Sequence, residues 1–204
     1  MILKMTNELK QQFDELDLND FDSVIKLYEN NNLYFSNYNL ITDKELIIDL
    51  IEMKIQYSYA LFETSKFKKS LTILKDVDIL LQKIKEEETY NKFSINALFL
   101  EGMNKSWLKR YDEAKSIFEE LLREDPENDR YKEWYLNIRT HLFAKQTSLI
   151  WKIGLAVLII ETLGKLSNYY YMDNNIEIIG WILLVSGGIL PKIREYWIKY
   201  TEKI

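Results

Sequence analysis

Leu149-Ile-Trp-Lys-Ile-Gly-Leu-Ala-Val-Leu-Ile-Ile-Glu-Thr-Leu-Gly-Lys-Leu166, followed after a short polar stretch by Ile178-Ile-Gly-Trp-Ile-Leu-Leu-Val-Ser-Gly-Gly-Ile-Leu190, decides how this chain is organised. Residues 1–147 mix charge with periodic apolar positions, whereas residues 148–191 carry only Lys152, Glu161, Lys165, Asp173 and Glu177 as charges. The first part is written for water and the second for hydrocarbon. Two regions are therefore expected, a water-facing one over 1–147 and a membrane hairpin over 148–204, with spans at about 149–170 and 176–196.

The two runs differ in quality. The first reaches a spanning length of about 20 residues with its flanks, but Glu161 near mid-span costs roughly 2.5–3.5 kcal/mol on insertion scales unless it faces protein or water. Lys165, four residues on, is at the offset for pairing with it on one helix face. The second run is free of charge but short, and relies on the flank from Lys192 to Trp197 reaching toward the headgroups. Between the runs lies Asn168-Tyr-Tyr-Tyr-Met-Asp-Asn-Asn175. Arg139, Lys145 and Lys152 precede the first run, and Lys192, Arg194, Lys199 and Lys203 follow the second. The bias of Lys and Arg to the cytoplasmic side puts both termini there, in a bacterial inner membrane as the expected location. Two other arrangements use the same residues: a pair lying flat in the headgroups, and two core helices of a water-soluble fold.

Composition favours helix throughout. Only 6 glycines and 2 prolines occur among 204 residues, so the punctuation that β-hairpins need is missing. Both prolines, Pro126 and Pro191, are read as helix boundaries. Apolar spacing predicts helices over 5–17, 20–30, 43–64, 66–88, 92–109, 111–124 and 128 to about 146, with Asp20, Thr42 and Asp43 as amino-terminal caps. The stretch from Asn30 to Asn39 reads as the longest loop, held on the surface by Tyr34, Phe35 and Tyr38. Nothing between Glu127 and Ile153 breaks a helix, so the last water-facing helix is expected to run straight into the first span.

Three segments share a pattern: Phe21-Asp-Ser-Val24-Ile-Lys-Leu-Tyr28, Phe67-Lys-Lys-Ser70-Leu-Thr-Ile-Leu74 and Tyr111-Asp-Glu-Ala114-Lys-Ser-Ile-Phe118. An aromatic opens each helix, a compact or branched residue follows three later, and a bulky one four after that. This spacing packs the second helix of a hairpin on the first. In the third segment Gly102, Tyr111, Ala114, Phe118 and Pro126 stand in the relative positions of the tetratricopeptide repeat, which residues 93–128 resemble closely and residues 5–90 loosely. The intervals between equivalent aromatics are 46 and 44 residues (21 to 67, then 67 to 111), longer than that family's repeat of about 34. The resemblance implies an all-α stack of antiparallel hairpins whose concave face binds a protein segment. Phe99 and Met103 fall at groove-side positions, so the lysine and asparagine clamp for an acidic chain end is not implied. A generic helical bundle is the alternative reading.

Sites for chemistry are few. The chain has no cysteine, which excludes disulfides and thiolate metal sites. The single histidine, His141, rules out sites needing several, and Arg139 is too near and Arg130 too far for the arginine–histidine spacing of the HEPN ribonucleases. Acidic runs such as Glu86-Glu87-Glu88 alternate with lysines on amphipathic helices and read as solvated faces. Gly164-Lys165 lacks the rest of a phosphate loop. No catalytic residue, cofactor or metal is expected. The net charge of −5 argues against a nucleic-acid partner.

Two functions remain, both at a lipid membrane. One is an anchored interaction module that binds a protein partner. The other is a homo-oligomeric pore or membrane-perturbing effector, as in bacterial antiviral defence systems that join a sensor domain to two spans. Glu161 and Lys165 would need its polar interior, and Gly180, Ser186, Gly187 and Gly188 would permit close helix contact.

Overall fold

The computed structural model describes the backbone of residues 2–36, 42–166 and 174–201, and the side chains of 8–35, 42–164 and 178–193. Among these residues the fold is entirely helical: α1 (Ile2–Asp14), α2 (Phe21–Asn30), α3 (Asn32–Ser36), α4 (Lys44–Glu63), α5 (Phe67–Leu81), α6 (Tyr90–Trp107), α7 (Tyr111–Glu124), α8 (Asp129–Leu166) and α9 (Asn174–Thr201). Two compact units result, residues 1–131 and 132–204. The dividing point falls inside α8, which continues without a break for 38 residues, about 57 Å at 1.5 Å per residue.

Helices α2, α5 and α7 begin at Phe21, Phe67 and Tyr111, the three aromatics that open the repeated pattern. Asp20 caps α2 by accepting from the Ser23 amide. Asp43 caps α4 by accepting from the amides of Glu45 and Leu46; Thr42, the other cap candidate, lies outside the helix and is exposed. The helix predicted to reach residue 88 stops at Leu81 and tightens into a 3₁₀ turn, Gln82–Ile84. Ile84 keeps to the buried face of Val77, Leu80 and Leu81 at 1% exposure, while Lys83 and Lys85 stay in water. The expected loop after Asn30 contains a short helix, α3, because Tyr34 and Phe35 are buried. Phe35 stacks on Tyr28 (ring centroids 3.9 Å apart), which stacks in turn on Tyr57 (3.8 Å). Tyr38 and Asn39 lie outside the described residues.

Two antiparallel hairpins, α4–α5 and α6–α7, form the body of the first unit. Their turns are the same. Ser65 (φ 60°) and Lys109 (φ 61°) are left-handed, and 44 residues separate 65 from 109. The amide after each, of Lys66 and Arg110, donates to the carbonyl five residues back, Leu61 and Lys105, while Ser65 and Lys109 donate to Phe62 and Ser106. This is the Schellman ending of a helix, here without its usual glycine. Small residues sit where the helices approach. In the first hairpin the hydroxyls of Ser58 and Ser70 lie 2.7 Å apart and both are fully buried. In the second, a Cβ built on Gly102 would come within 2.8 Å of the Phe118 ring, and Ala114 is fully buried. Asn104 joins the hairpins by donating to Ser70 Oγ at 2.9 Å and to Leu100 O at 2.8 Å.

One charge lies in this core. Lys54, 1% exposed, donates to Tyr28 Oη at 2.9 Å and to Asp76 Oδ2 at 3.0 Å. Burial pushes its pKa below the ordinary lysine range, against the pull of Asp76.

In the second unit α8 and α9 face each other, and α8 is long and apolar enough to cross a membrane. The apolar part of α9, Ile178–Ile193, is shorter. Pro191 lies inside α9, where the sequence reading had set a boundary. A proline removes one backbone bond to the carbonyl four residues back, and a helix tolerates it where the loss is taken up locally. The tyrosine cluster at 169–171 and the side chains of Lys165, Glu177 and Arg194 lie outside the described residues.

Candidate functional site

Glycines set the contact between α8 and α9. A Cβ on Gly154 would lie 2.6 Å from the Leu184 amide nitrogen, and one on Gly187 would lie 2.6 Å from the Trp151 amide nitrogen. Gly180 meets Val157 and Leu158 at 3.0–3.2 Å. Rising residue numbers on one helix therefore meet falling numbers on the other: 151 with 187, 154 with 184, 158 with 180. The pair is an antiparallel hairpin whose backbones touch, which only residues without a side chain permit.

The distribution of polarity in this hairpin is inverted. Glu161, 4% exposed, and Thr147, 3% exposed, are buried. Buried glycines 154, 180 and 187 line the same seam. Large apolar residues point out instead: Leu149, Ile153, Ile160 and Leu163 on α8, and Ile178, Trp181, Ile182 and Ile193 on α9 are among those exposed. Glu161, Gly180 and Gly187 thus share the seam. Gly188 is exposed and has only Trp151 Cδ1 nearby at 3.9 Å. Ser186 is half-buried and donates to Leu183 O. Gly154, in as tight a contact with a backbone atom as Gly187, was not singled out in the sequence; its seven-residue spacing from Thr147 and Glu161 was the available signal.

In the first unit, Gly102, Ala114 and Phe118 gather at the α6–α7 contact, Tyr111 is half-buried at the start of α7, and Pro126 is exposed between α7 and α8. Phe99, half-buried, and Met103, the two residues that the repeat resemblance puts at groove-side positions, both make contacts within the unit. Met103 is 5% exposed. Phe99 meets Phe118 edge-on at 5.8 Å and Tyr131 at 5.4 Å, with the Arg130 guanidinium 5.2 Å from its ring centre.

A cleft of about 460 Å³ runs along α5 and α6 to the turn before α7, lined by Lys68, Thr72, Lys75, Asp78, Glu101, Lys105 and Arg110 among others. Lys105 bridges Glu101 at 2.6 Å and Glu113 at 3.4 Å. Arg110 holds Glu113 through two bonds of 2.6 and 2.5 Å. Partial burial and the neighbouring Glu101 raise the pKa of Asp78 above the ordinary aspartate range, while Lys105 opposes them. The charges alternate in sign around an apolar floor of Leu71, Leu74 and Leu108. Among the described residues no three histidine, aspartate or glutamate side chains converge as metal ligands would. His141 is exposed on α8.

No protein-family model, no curated protein and no solved structure matches the chain. The class the structure itself defines is an all-helical protein with one helix long and apolar enough to span a bilayer.

Proposed function

We propose that this chain is a membrane-anchored helical-repeat protein. Its carboxyl-terminal hairpin crosses the bilayer, and its amino-terminal unit binds a protein partner at the membrane. The observation that carries the reading is the inverted hairpin. Only 17% of the apolar window of α8 is buried, whereas the core helix of a water-soluble protein would be mostly covered. A continuous apolar surface of this size needs an apolar solvent. From Leu149 to Leu163, and again from Ile178 to Ile193, the outward apolar residues span about 21–23 Å, so the hairpin suits a thin or locally thinned bilayer.

The repeat reading of the first unit draws on its two successive hairpins with equivalent turns. Its expected docking place is the charged cleft. The pore alternative has less behind it. Gly180 and Gly187 are used within one chain, which leaves Gly188 and Ser186 as the small residues for contact between chains.

Fractionation tests the anchor: the full-length protein is expected in the membrane pellet, resistant to alkaline carbonate and released by detergent. Recovery in the aqueous fraction would sink it. A photocrosslinker at Thr72, on the cleft, is expected to give one discrete adduct that the same group at exposed Glu52 does not give. A monomeric mass in detergent with no vesicle leakage favours the adaptor, and an oligomer with leakage favours the pore.

A further inference from the structure

We propose that one end of the hairpin, marked by Lys145, Lys152 and Lys192, is a binding surface for the headgroups of anionic phospholipids, a step that rests on the membrane reading above. The glycine contacts fix the register. Gly187 meets Trp151, and Lys192 lies five residues further along α9, about 7.5 Å. Because the helices are antiparallel, that level corresponds to Gln146 on α8. Lys145 and Lys152, two turns apart and on one face of α8, bracket it. The backbone positions of three lysines, two on α8 and one on α9, thus share a slab about 10 Å deep.

All three lysines are exposed. None of the ion pairs found among the described residues involves them. Neither α8 from 134 to 160 nor α9 from 178 to 194 contains an aspartate or glutamate, so no carboxylate of these stretches offsets them. Arg139, the next cation along α8, is drawn over the Tyr135 ring at 5.6 Å. Trp151, 39% exposed, adds the amphipathic ring favoured at the boundary of hydrocarbon and headgroups. Lysine stems can lie along Leu149 and Ile153 while their ammonium groups reach outward. A zwitterionic headgroup brings its own cation, which offsets the attraction; an anionic one does not.

Full-length protein diluted from mild detergent onto preformed vesicles tests the surface by co-flotation. Phosphatidylcholine vesicles are compared with phosphatidylcholine containing a minor share of phosphatidylglycerol. The wild-type chain is expected to float with both and to prefer the anionic vesicles, each lysine adding about fivefold to partitioning. Replacing Lys145, Lys152 and Lys192 together by glutamine should cut the preference by about a hundredfold while flotation with neutral vesicles and helical content persist. Replacing all three by arginine should keep it. Equal partitioning of the wild type, or an undiminished preference in the glutamine variant, overturns the proposal and leaves the anchor standing. Flotation with neither vesicle overturns the anchor itself.

Discussion

The two units use the same helix-forming residues and turn them opposite ways. In residues 1–131 large apolar side chains such as Ile51, Leu61, Phe118 and Leu121 are buried to 1% exposure or less, and lysine–carboxylate pairs occupy the outside. In residues 132–204 isoleucine, leucine and tryptophan lie outside while glycines and Glu161 lie on the seam. Both are helical, so helix formation does not separate them. The separation lies in what each helix must hide. In water the driving force is removal of apolar area. In lipid that force between helices vanishes, and close backbone packing and satisfied polar groups take over.

Substitutions that would be equivalent under one rule should therefore separate under two. The largest effect is expected in the first unit, where Phe118→Ala empties the site that packs on Gly102 and Phe99; urea denaturation followed by circular dichroism should show a loss of about 3–5 kcal/mol. Next comes an outward residue of the hairpin: Ile182→Lys should disfavour membrane insertion by about 3 kcal/mol, read as carbonate-extractable protein. Ile79→Lys, at a similarly exposed position in the first unit, should leave both extraction and stability near wild type. An equal response at the two sites would erase the contrast.

The seam itself is tested by Gly187→Val, which drives a side chain into the Trp151 backbone and should destabilise the hairpin by about 1–3 kcal/mol, measured by protease resistance in detergent. Gly188→Ala, facing open space beside Trp151, should be silent. Smaller again is the gain from Lys109→Gly, which relieves a left-handed residue and should stabilise the first unit by about 1 kcal/mol. Least is Asp78→Asn. The raised pKa of Asp78 means that ionisation is penalised in the fold, so stability falls as pH rises through the folded value. The asparagine variant should gain a fraction of a kcal/mol at neutral pH, given solvent screening, and the gain should vanish below the ordinary aspartate range.

Much of the organisation was legible before any coordinates. The starts of α2, α5 and α7 followed from Phe21, Phe67 and Tyr111, and the unbroken α8 followed from the absence of glycine and proline between Glu127 and Ile153. Other features were hidden for physical reasons. The turns at Ser65 and Lys109 carry no glycine, so their left-handed backbone left no compositional trace. The change to a 3₁₀ turn after Leu81 has no mark in the apolar spacing, and the helix over Asn32–Ser36 packs Phe35 on the Tyr28–Tyr57 stack.

By itself the sequence determined that the chain is helical and that its two parts differ in polarity, because composition and periodicity act locally along the chain. Only the tertiary structure decided which residues of the apolar runs face each other. It chose Gly154 over Gly188 for the seam, buried Glu161 beside it, and set Phe99 against Phe118 and Tyr131. Those outcomes depend on the register between helices, which is set by contacts among residues far apart in the chain.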